Sequence, residues 1–487
     1  MLLKRLFLML LCTMWICLPG FATIIQVPGN QSTIQAGIDA ANEGDTVLVA
    51  QGTYQENINF REKGIVVASH FILDGNTMYV DSTIIDGSNP FYPDTASCVL
   101  IVSDDPGTVA DTSAALIGFT LSGGGGTRWF DEHGAGWYRE GGGILIQYLS
   151  PRIEYNIIRD NHITNTAGVT STGGGAIRIG DGNPRIQNNI IAYNSARYGG
   201  GIVLNYTGAI VKNNVIASND AEGAYGGGGG IWSYANGSYP KLIENNTIVY
   251  NTPGGSATGG GLRLWVTDAT LHNNIIWGNA QLQILRAGGS VTVTYCDIQD
   301  TIWEGEGNIN ADPLFAATNL YLSNSSPCID AGDTSGLYND PEDPVNPGYA
   351  EWPSMGLLRN DMGAYGGPDR ALLLDVPTGI DETPKDTRPG QGFLWQNYPN
   401  PFSDRTTIQF SIGYRGESAS GGIELNIYDA TGRLVRNFPR LTLYAQRPTF
   451  ISWDGRDNSG QPVSSGVYIY RLQVGDEVLS KKMLLIR

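Results

Sequence analysis

The segments GGGILIQ from Gly141, GGAIRIG from Gly174, GGGIVLN from Gly199, GGGIWSY from Gly228 and GGGLRLW from Gly259 decide the fold of this chain. Each segment begins with a glycine-rich triplet and continues as a short apolar strand. A second short strand follows in every unit and carries an asparagine, at Asn156, Asn189, Asn214, Asn246 and Asn274. The asparagine lies 13 residues after the triplet in four units and 16 residues after it in the unit of Asn246, so most of the variation in length falls in the turn before the next triplet.

Short strands that repeat every 25 to 33 residues, with no helical pattern between them, predict a coil whose strands pair with the coils above and below. We therefore expect an all-β fold whose main part is a right-handed parallel β-helix of about ten coils. Like residues should stack inward at about 4.8 Å per coil. One apolar column contains Ile144, Ile177, Ile202, Ile231 and Leu262, and another contains Ile158, Ile191, Ile216, Ile248 and Ile276. The five asparagines should lie at the bend between two sheets, where Asn tolerates a left-handed backbone and hydrogen-bonds to its stacked copies.

The composition excludes several classes of protein. Glycine accounts for 65 of 487 residues and charged residues for 16%, which is far from the composition of an ordinary helical domain. The formal net charge of −17 argues against nucleic acid as a partner, because a polyanion would be repelled. Only Cys98, Cys296 and Cys328 follow the first apolar segment, and three cysteines are too few for a disulfide framework.

Residues 1–22 are predicted to be a secretory signal peptide. Lys4 and Arg5 precede an apolar run from Leu6 to Leu18, and small residues stand near the expected cleavage point. The run is shorter than the roughly 18 residues that a membrane-spanning helix needs, so we expect no transmembrane anchor. The mature protein is therefore expected to be exported.

Residues 23–370 resemble the pectate-lyase-like right-handed β-helix proteins. STIQAGIDAANEGDTVLVAQGTY from Ser32 is similar to their cap helix and first strand, and NINADPLF from Asn308, SPCIDAG from Ser326 and RNDMGAYGG from Arg359 are similar to their closing segments. The resemblance implies the architecture and a short N-terminal cap helix. It implies no particular activity, because enzymes and non-enzymes share these motifs.

A second domain follows a linker, predicted over residues 371–392, that is rich in proline, glycine and polar residues. Residues 393–487 contain short alternating strands, which is typical of a small Ig-like antiparallel β-sandwich. QNYPNPF from Gln396 and the terminal KKMLLIR make this segment similar to the type A C-terminal sorting domain of type IX secretion substrates. That resemblance implies export through the type IX secretion machinery, and then release or attachment at the outer cell surface of a Gram-negative bacterium.

The sequence contains no motif for nucleotide, zinc or polygalacturonase chemistry. No GKS or GKT follows a glycine loop, neither HExxH nor CxxC occurs, and the glycine runs precede strands instead of helices. The paired aspartates, GHG and RIK of polygalacturonases are also absent, and no pectate-lyase catalytic motif is found. We therefore expect no metal site and no cofactor. Calcium is the alternative at DPEDPVNP from Asp340, although a solvated acidic loop explains that segment more simply.

The first candidate site is the excursion GGGGTRWFDEHGAGWYREGGG, which is dense in polar and aromatic residues. In a functional interpretation, Glu132 or His133 acts as a general acid or base and Arg139 binds an anionic group of a substrate. Trp129 or Trp137 would then stack on a sugar ring. The alternative is a loop that folds over the side of the helix, with its aromatic residues packed down and Arg139 paired to a carboxylate.

The second candidate site is the outward face of the strands that begin at the glycine triplets. By strand alternation, the second and fourth residues after a triplet point away from the core. The predicted substrate-binding residues there are Arg178, Trp232 and Arg263 in one column and Tyr234 and Trp265 in the other. An aromatic strip with arginine suits a flat sheet that grips a polysaccharide, and the alternative is that long loops cover the rings.

Two functional hypotheses follow. In the first, the protein is a secreted or cell-surface β-helix that binds extracellular polysaccharide or acts as an adhesin, without catalysis. In the second, it is a polysaccharide lyase, glycoside hydrolase or epimerase that acts on an extracellular glycan. The absence of catalytic motifs favours the first hypothesis, whereas Arg, His and Glu clustered beside the aromatic strip would favour the second.

Overall fold

The structure is a computed structural model with two compact units, residues 1–380 and 381–487. It describes residues 22–486 except for residues 104, 106–112, 132, 224–226, 236–238, 256–258, 317–319, 345, 372–391, 395–401, 403–404, 413–422, 439–448 and 475–476. The predicted signal peptide, apart from Ala22, and nearly all of the predicted linker therefore lie outside the described residues, and so does Glu132.

Three parallel sheets run along the first unit, with ten, nine and eight strands among the described residues. Sheet I contains Ile24–Val27, Thr46–Val49, Val66–Ser69, Ala115–Ile117, Arg152–Glu154, Arg185–Gln187, Ile210–Lys212, Lys241–Glu244, Ala269–His272 and Val291–Thr294. Sheet II contains Gly52–Tyr54, Thr83–Asp86, Thr120–Ser122, Ile157–Arg159, Ile190–Ala192, Val215–Ala217, Thr247–Val249, Ile275–Trp277 and Asp297–Ile298. Sheet III contains Ile58–Asn59, Val99–Val102, Ile144–Gln147, Ile177–Gly180, Ile202–Asn205, Ile231–Tyr234, Gly259–Trp265 and Leu282–Ala287. Successive coils thus contribute one strand to each sheet, which confirms the predicted parallel β-helix.

The stacked apolar columns fill the interior of the helix. In sheet III, Ile144 pairs in register with Ile177, Ile177 with Ile202, Ile202 with Ile231 and Ile231 with Leu262. The column in sheet II that begins at Ile158 is in register in the same way. Every residue of both columns is fully buried. The predicted columns are therefore confirmed, and their burial is the main favourable contribution to folding.

Two asparagine ladders run along the helix at the ends of sheet II. In the predicted ladder, the amide nitrogen of Asn156 donates to Asn189 Oδ1, and the next three steps repeat this bond, at 3.0 to 3.1 Å throughout. A second ladder repeats the arrangement through Asn161, Asn194, Asn219, Asn251 and Asn279. The expected left-handed backbone is not at the ladder asparagines. It belongs to the residue before each one, Tyr155, Asn188, Asn213, Asn245 and Asn273.

The N-terminal end of the helix is closed by a short α-helix, α1 (Ile34–Ala40), as predicted. Thr33 begins it, since its side-chain oxygen accepts a hydrogen bond from the backbone of Ala36 at 3.1 Å. Ile34 and Ile38 are fully buried and join the core of the β-helix. Two further short helices, α2 (Phe71–Asp74) and α3 (Met78–Ser82), lie between the third strand of sheet I and the second strand of sheet II.

The closing segment of the first unit contains buried carboxyl groups. It includes the strands Phe315–Ala316 and Tyr321–Leu322 and a 3-10 helix at Gly336–Tyr338. The expectation of a solvated loop at Asp340 is wrong for that residue, which is buried and accepts hydrogen bonds from backbone nitrogens of Asp361 and Gly367. Burial raises the pKa of Asp340 to about 7. Cys98, Cys296 and Cys328 are buried free thiols, and Cys328 donates to Asp297 Oδ2 at 3.1 Å.

The second unit consists of two antiparallel sheets in its described part. One contains Gly392–Leu394, Thr406–Ile412 and Thr449–Trp453, and the other contains Ile423–Asp429, Leu434–Phe438, Gly466–Val474 and Glu477–Leu485. Apolar residues of both sheets, including Phe410, Ile427, Trp453 and Tyr470, form one core. This is the small antiparallel β-sandwich that the alternating pattern predicts.

The ladder makes a testable prediction at Asn214. Its Oδ1 accepts from the backbone and side-chain nitrogens of Asn189, and its amide donates to Asn246 and Ile186. Asn214→Ala leaves these buried groups unpaired, so we expect the free energy of unfolding to fall by about 1–3 kcal/mol for each group. Urea denaturation followed by circular dichroism measures the change. Asn165→Ala, at an exposed position, is the control, and equal stability of the two variants would contradict a stabilising ladder.

Candidate functional site

The aromatic excursion is a β-hairpin that folds over sheet III, and its Arg139 is paired to the carboxyl group of Asp94, as the covering alternative expects. Its strands are Gly126–Asp131 and Gly136–Glu140, paired antiparallel, with Thr95–Ala96 and Ser171–Gly173 on either side. Asp131 shapes the turn, because its backbone oxygen accepts from Gly134 at 3.0 Å and its Oδ2 accepts from Ala135 N at 2.9 Å. Gly134 and Gly136 have φ values of 85° and 110°, a conformation that favours glycine.

The two faces of the hairpin have different surroundings. On the outer face, the Arg128 guanidinium lies 4.2 Å from the Trp137 ring centre, and Arg139 forms an ion pair of 2.6 Å with Asp94. The inner face carries Trp129, Asp131, Tyr138 and Glu140. This strand alternation separates Trp137 and Arg139 from the other residues predicted for the site.

A cavity of about 470 Å³ lies between the hairpin and sheet III. Its described lining residues are Trp129, Asp131, His133, Gly134, Ala135, Tyr138, Glu140, Thr170, Ser171, Tyr198, Asn205, Tyr206, Trp232, Tyr234 and Trp265. The two candidate sites of the sequence analysis are thus one site. The volume falls within the usual range for small-molecule binding pockets.

Aromatic rings from adjacent coils form a continuous wall of the cavity. Trp232 is the centre of the wall, with its ring 4.9 Å from Tyr198 and 6.1 Å from Tyr234. Tyr234 lies 5.7 Å from Trp265 and 5.4 Å from Tyr206. Trp265 is 45% exposed, so the wall reaches the protein surface at that end. Flat rings of this kind bind the apolar faces of sugars.

Glu140 is the centre of a buried polar cluster behind the wall. One oxygen accepts a hydrogen bond from Trp129 Nε1 at 3.0 Å and lies 3.0 Å from Arg178 Nε, while the other accepts from the Tyr198 hydroxyl. Burial raises the pKa of Glu140 above its ordinary value, although Arg178, Tyr198 and Trp129 act in the opposite direction. Gly173 allows this close packing, because a Cβ there would lie 2.5 Å from the Tyr198 ring.

Arg178 is buried, in contrast to the exposed position that strand alternation predicts. Its residue is 1% exposed, and its guanidinium lies 3.9 Å from the centre of the Trp129 ring. It also donates to Gln147 on the preceding coil. The hairpin therefore covers this part of sheet III, and Arg178 supports Glu140 and Trp129 from behind.

His133 lies at another edge of the cavity. Its Nε2 is 3.0 Å from Asp181 Oδ2, and its ring stacks on Tyr206 with centres 3.7 Å apart. Burial raises the pKa of Tyr206 to about 12 and holds the pKa of Tyr198 well above its ordinary value. A phenol with a raised pKa keeps its proton at neutral pH, and the hydroxyl of Tyr198 donates to Glu140.

Several polar atoms of the cavity wall have no hydrogen-bond partner among the described residues. They are Asp131 Oδ1, Ser171 Oγ, Asn205 Oδ1 and Trp232 Nε1. Asp131 is 5% exposed, so its second carboxylate oxygen is withdrawn from bulk water without compensation from the described protein groups. Leaving a buried polar group unpaired costs about 1–3 kcal/mol, which a ligand with hydroxyl or amino groups could offset.

The predicted site residues therefore divide into four groups. The cavity is lined by Trp129, His133, Trp232, Tyr234 and Trp265. Arg178 is buried behind the cavity, Arg263 is half-buried beside Trp232, and Arg139 and Trp137 belong to the outer face of the hairpin. Glu132 lies outside the described residues. In sheet III, the expected neighbours Trp232 and Arg263 are paired in register, as are Tyr234 and Trp265.

Sequence reasoning missed Tyr198 and Tyr206 as lining residues. Tyr206 occupies the position that ends each sheet III strand, where Tyr148, Asp181, Ala235 and Val266 also have positive φ values. This recurring corner position, five residues after each triplet, was a usable signal. Tyr198 lies in the turn of variable length, where the repeat gives no register.

Comparisons with known proteins agree with the two-part architecture. Residues 132–298 match the family described as a right-handed beta helix region, and residues 400–477 match the FlgD Ig-like domain. The first unit is thus a right-handed parallel β-helix, and the second has the antiparallel strands of an Ig-like domain. No curated protein matches the sequence.

Two solved structures from Porphyromonas gingivalis match short parts of the chain. Dimeric latent PorU is 27% identical over 20% of this chain and 10% of its own, with a TM-score of 0.18. PorZ, a surface component of the type IX secretion system, is 28% identical over 19% of this chain and 11% of its own, with a TM-score of 0.15. The matched segment therefore spans about a tenth of each of those proteins.

The described residues contain neither a metal-binding cluster nor a membrane-spanning helix. No group of three or more His, Cys, Asp or Glu side chains there is arranged to hold a metal ion. In the same part of the chain, no helix has the length and apolar character needed to cross a membrane.

The buried pair Arg178 and Glu140 makes a prediction about the stability of the site. Arg178→Met leaves the Glu140 carboxyl without its cation, so we expect the free energy of unfolding to fall by about 3–5 kcal/mol. The double variant Arg178→Met, Glu140→Gln should lose less than the single one, because no unpaired charge remains. Urea denaturation provides the measurement.

Arg152→Met is the matched control for the comparison of the single and double variants. Arg152 forms an ion pair of 3.0 Å with Glu154, and its side chain is 48% exposed. We expect a loss of about 0–1 kcal/mol there, because solvent screens exposed pairs. A similar loss in Arg178→Met would show that Glu140 does not depend on Arg178.

Proposed function

We propose that the β-helix binds an extracellular polysaccharide in the cavity between the hairpin and sheet III. The observation that carries the proposal is the continuous wall of Trp232, Tyr234 and Trp265, with unpaired polar atoms beside it. Sugar rings present apolar faces for stacking and hydroxyl groups for polar atoms at their edges. The open end at Trp265 would let a longer chain continue along the surface.

Export completes the proposed role. The signal-like residues 1–22 and the similarity of the C-terminal segment to sorting domains support delivery to the cell surface or the medium by type IX secretion. At that location a polysaccharide site would attach the protein to an extracellular glycan. This combination describes a secreted or surface adhesin more closely than an intracellular binding protein.

A second candidate function is a glycan-cleaving enzyme or epimerase. An enzyme of this kind is expected to have Arg, His and Glu side chains beside the aromatic strip. Near the aromatic wall of the cavity lie Arg178, His133 and Glu140. Both oxygens of Glu140 already accept hydrogen bonds, however, and His133 is paired with Asp181. Glu132→Gln, His133→Ala and Arg139→Ala would each abolish turnover if these residues were catalytic.

Binding is tested with the full chain on a glycan array, followed by calorimetry with the best ligand. Trp232→Ala and Trp265→Ala should each weaken binding by about two- to tenfold, because a stacked ring contributes roughly 0.5–1.5 kcal/mol beyond its buried area. Absorbance of unsaturated products and release of reducing ends, with and without calcium, should remain at background. The enzyme hypothesis would be supported by product formation that depends on His133.

Trp137→Ala is the control for these variants, since Trp137 is on the outer face of the hairpin. Its affinity should equal that of the wild type. Equal losses in all three tryptophan variants, or binding by no glycan at all, would refute the cavity as a polysaccharide site.

The export proposal makes a separate prediction. Removal of residues 393–487 should leave a folded β-helix in the periplasm, because the sorting signal is proposed to lie in the removed domain. Cell fractionation and immunoblotting measure the distribution of the protein. Detection of the truncated chain in the medium or on the outer surface at wild-type levels would refute the proposal. The control is a chain that keeps the domain and carries Trp137→Ala.

A further inference from the structure

The cavity is lined by acidic side chains, whereas an acidic polysaccharide would require basic ones. Its described lining contains the carboxyl groups of Asp131 and Glu140 and no lysine or arginine. Arg178 is held by Glu140 and covered by Trp129, so it does not offer a cation to a ligand. The imidazole of His133 is paired with Asp181. A ligand carboxylate or sulfate would therefore meet carboxyl oxygens without a matching cation.

The unpaired oxygen of Asp131 distinguishes the two carboxyl groups. Glu140 accepts hydrogen bonds from Trp129 and Tyr198, one at each oxygen, and forms an ion pair with Arg178. Asp131 accepts from Ala135 through Oδ2 only, and Oδ1 has no partner in the described part of the chain although the residue is 95% buried. An ammonium group would supply a hydrogen-bond donor to Oδ1 and a positive charge that compensates the carboxylate.

The aromatic wall strengthens this preference. Trp129, Tyr198, Trp232 and Tyr234 line the same cavity as Asp131. The faces of such rings attract cations, and the effect is greater where water is excluded. The formal net charge of −17 adds a long-range attraction for cationic ligands.

We infer that the cavity selects glycans that carry a protonated amino group, with Asp131 as the residue that recognises it. This inference rests on the proposed polysaccharide binding and specifies its ligand class as amino sugars with a free amine. The charge-assisted hydrogen bond to Asp131 Oδ1 provides the selectivity, and the aromatic wall holds the sugar ring. Acetylation of the amine removes the charge and should remove the preference.

The test compares three hexasaccharides by calorimetry with the full-length protein: glucosamine, N-acetylglucosamine and galacturonate. We expect the glucosamine hexamer to bind at least about tenfold more tightly than its acetylated form, and the galacturonate hexamer to bind least. Asp131→Asn should abolish the difference between the first two, while its amide oxygen keeps the hydrogen bond from Ala135. Asp39→Asn, at an exposed position in α1, is the control and should keep the preference.

The outcomes separate this inference from the function on which it rests. Equal binding of the two glucosamine-based hexamers, tighter binding of galacturonate, or an unchanged preference in Asp131→Asn would overturn the amino-sugar inference but leave polysaccharide binding intact. Binding of choline as tight as that of the glucosamine hexamer would also overturn it, because the site would then recognise a cation without a sugar. If Asp131→Asn fails to fold, the comparison of the two hexamers on the wild-type protein decides alone. Binding of none of these ligands and of no glycan on the array would refute the proposed function itself.

Discussion

Two ladders of hydrogen-bonded asparagines set the register of the coils. From coil to coil, the side-chain amide of one ladder asparagine donates to Oδ1 of its counterpart on the next coil, and the ladder asparagines are buried. A coil that slipped by one residue would leave several buried groups unpaired and would also turn its apolar column outward. Because the register is fixed, equivalent positions of successive coils lie side by side. The aromatic wall exists for this reason, since Trp232 and Tyr234 on one coil meet Arg263 and Trp265 on the next.

Much of the β-helix could be predicted from the sequence because its information is repeated. The columns at Ile144 and Ile158 and the ladder at Asn156 follow from a pattern that recurs in five units, four of which share the same spacing, so each unit tests the others. The sequence predicts the left-handed backbone one position too late, because spacing gives the position of the bend and not which of its two adjacent residues has the positive φ. At the sheet ends, side-chain hydrogen bonding and backbone conformation are divided between those two residues.

The site was less predictable because it depends on a segment that does not repeat. Strand alternation predicts that Arg178 points outward, and it does, but the hairpin then covers it with Trp129. The same alternation within the hairpin separates Trp129 and Asp131 from Trp137 and Arg139, a division that could be derived only once the excursion was known to be two strands. Tyr198 comes from the turn of variable length, so no spacing rule indicates that it would contact Trp232. Strand alternation determines the direction in which a side chain points, whereas its burial depends on which segment packs over that face of the sheet.

The hydrogen bonds of the two cavity carboxyl groups give these groups different environments. Acid–base cleavage of a glycan by paired carboxyl groups requires one to deliver a proton and the other to attack or activate water. Glu140 is occupied by Trp129, Tyr198 and Arg178, and releasing any of them would leave a buried polar group unpaired. Asp131 has one unpaired oxygen, but its other oxygen holds the hairpin turn through Ala135. One carboxyl group therefore maintains the wall, and the other has an oxygen without a partner among the described residues, which is the difference on which the proposed recognition of an amine rests.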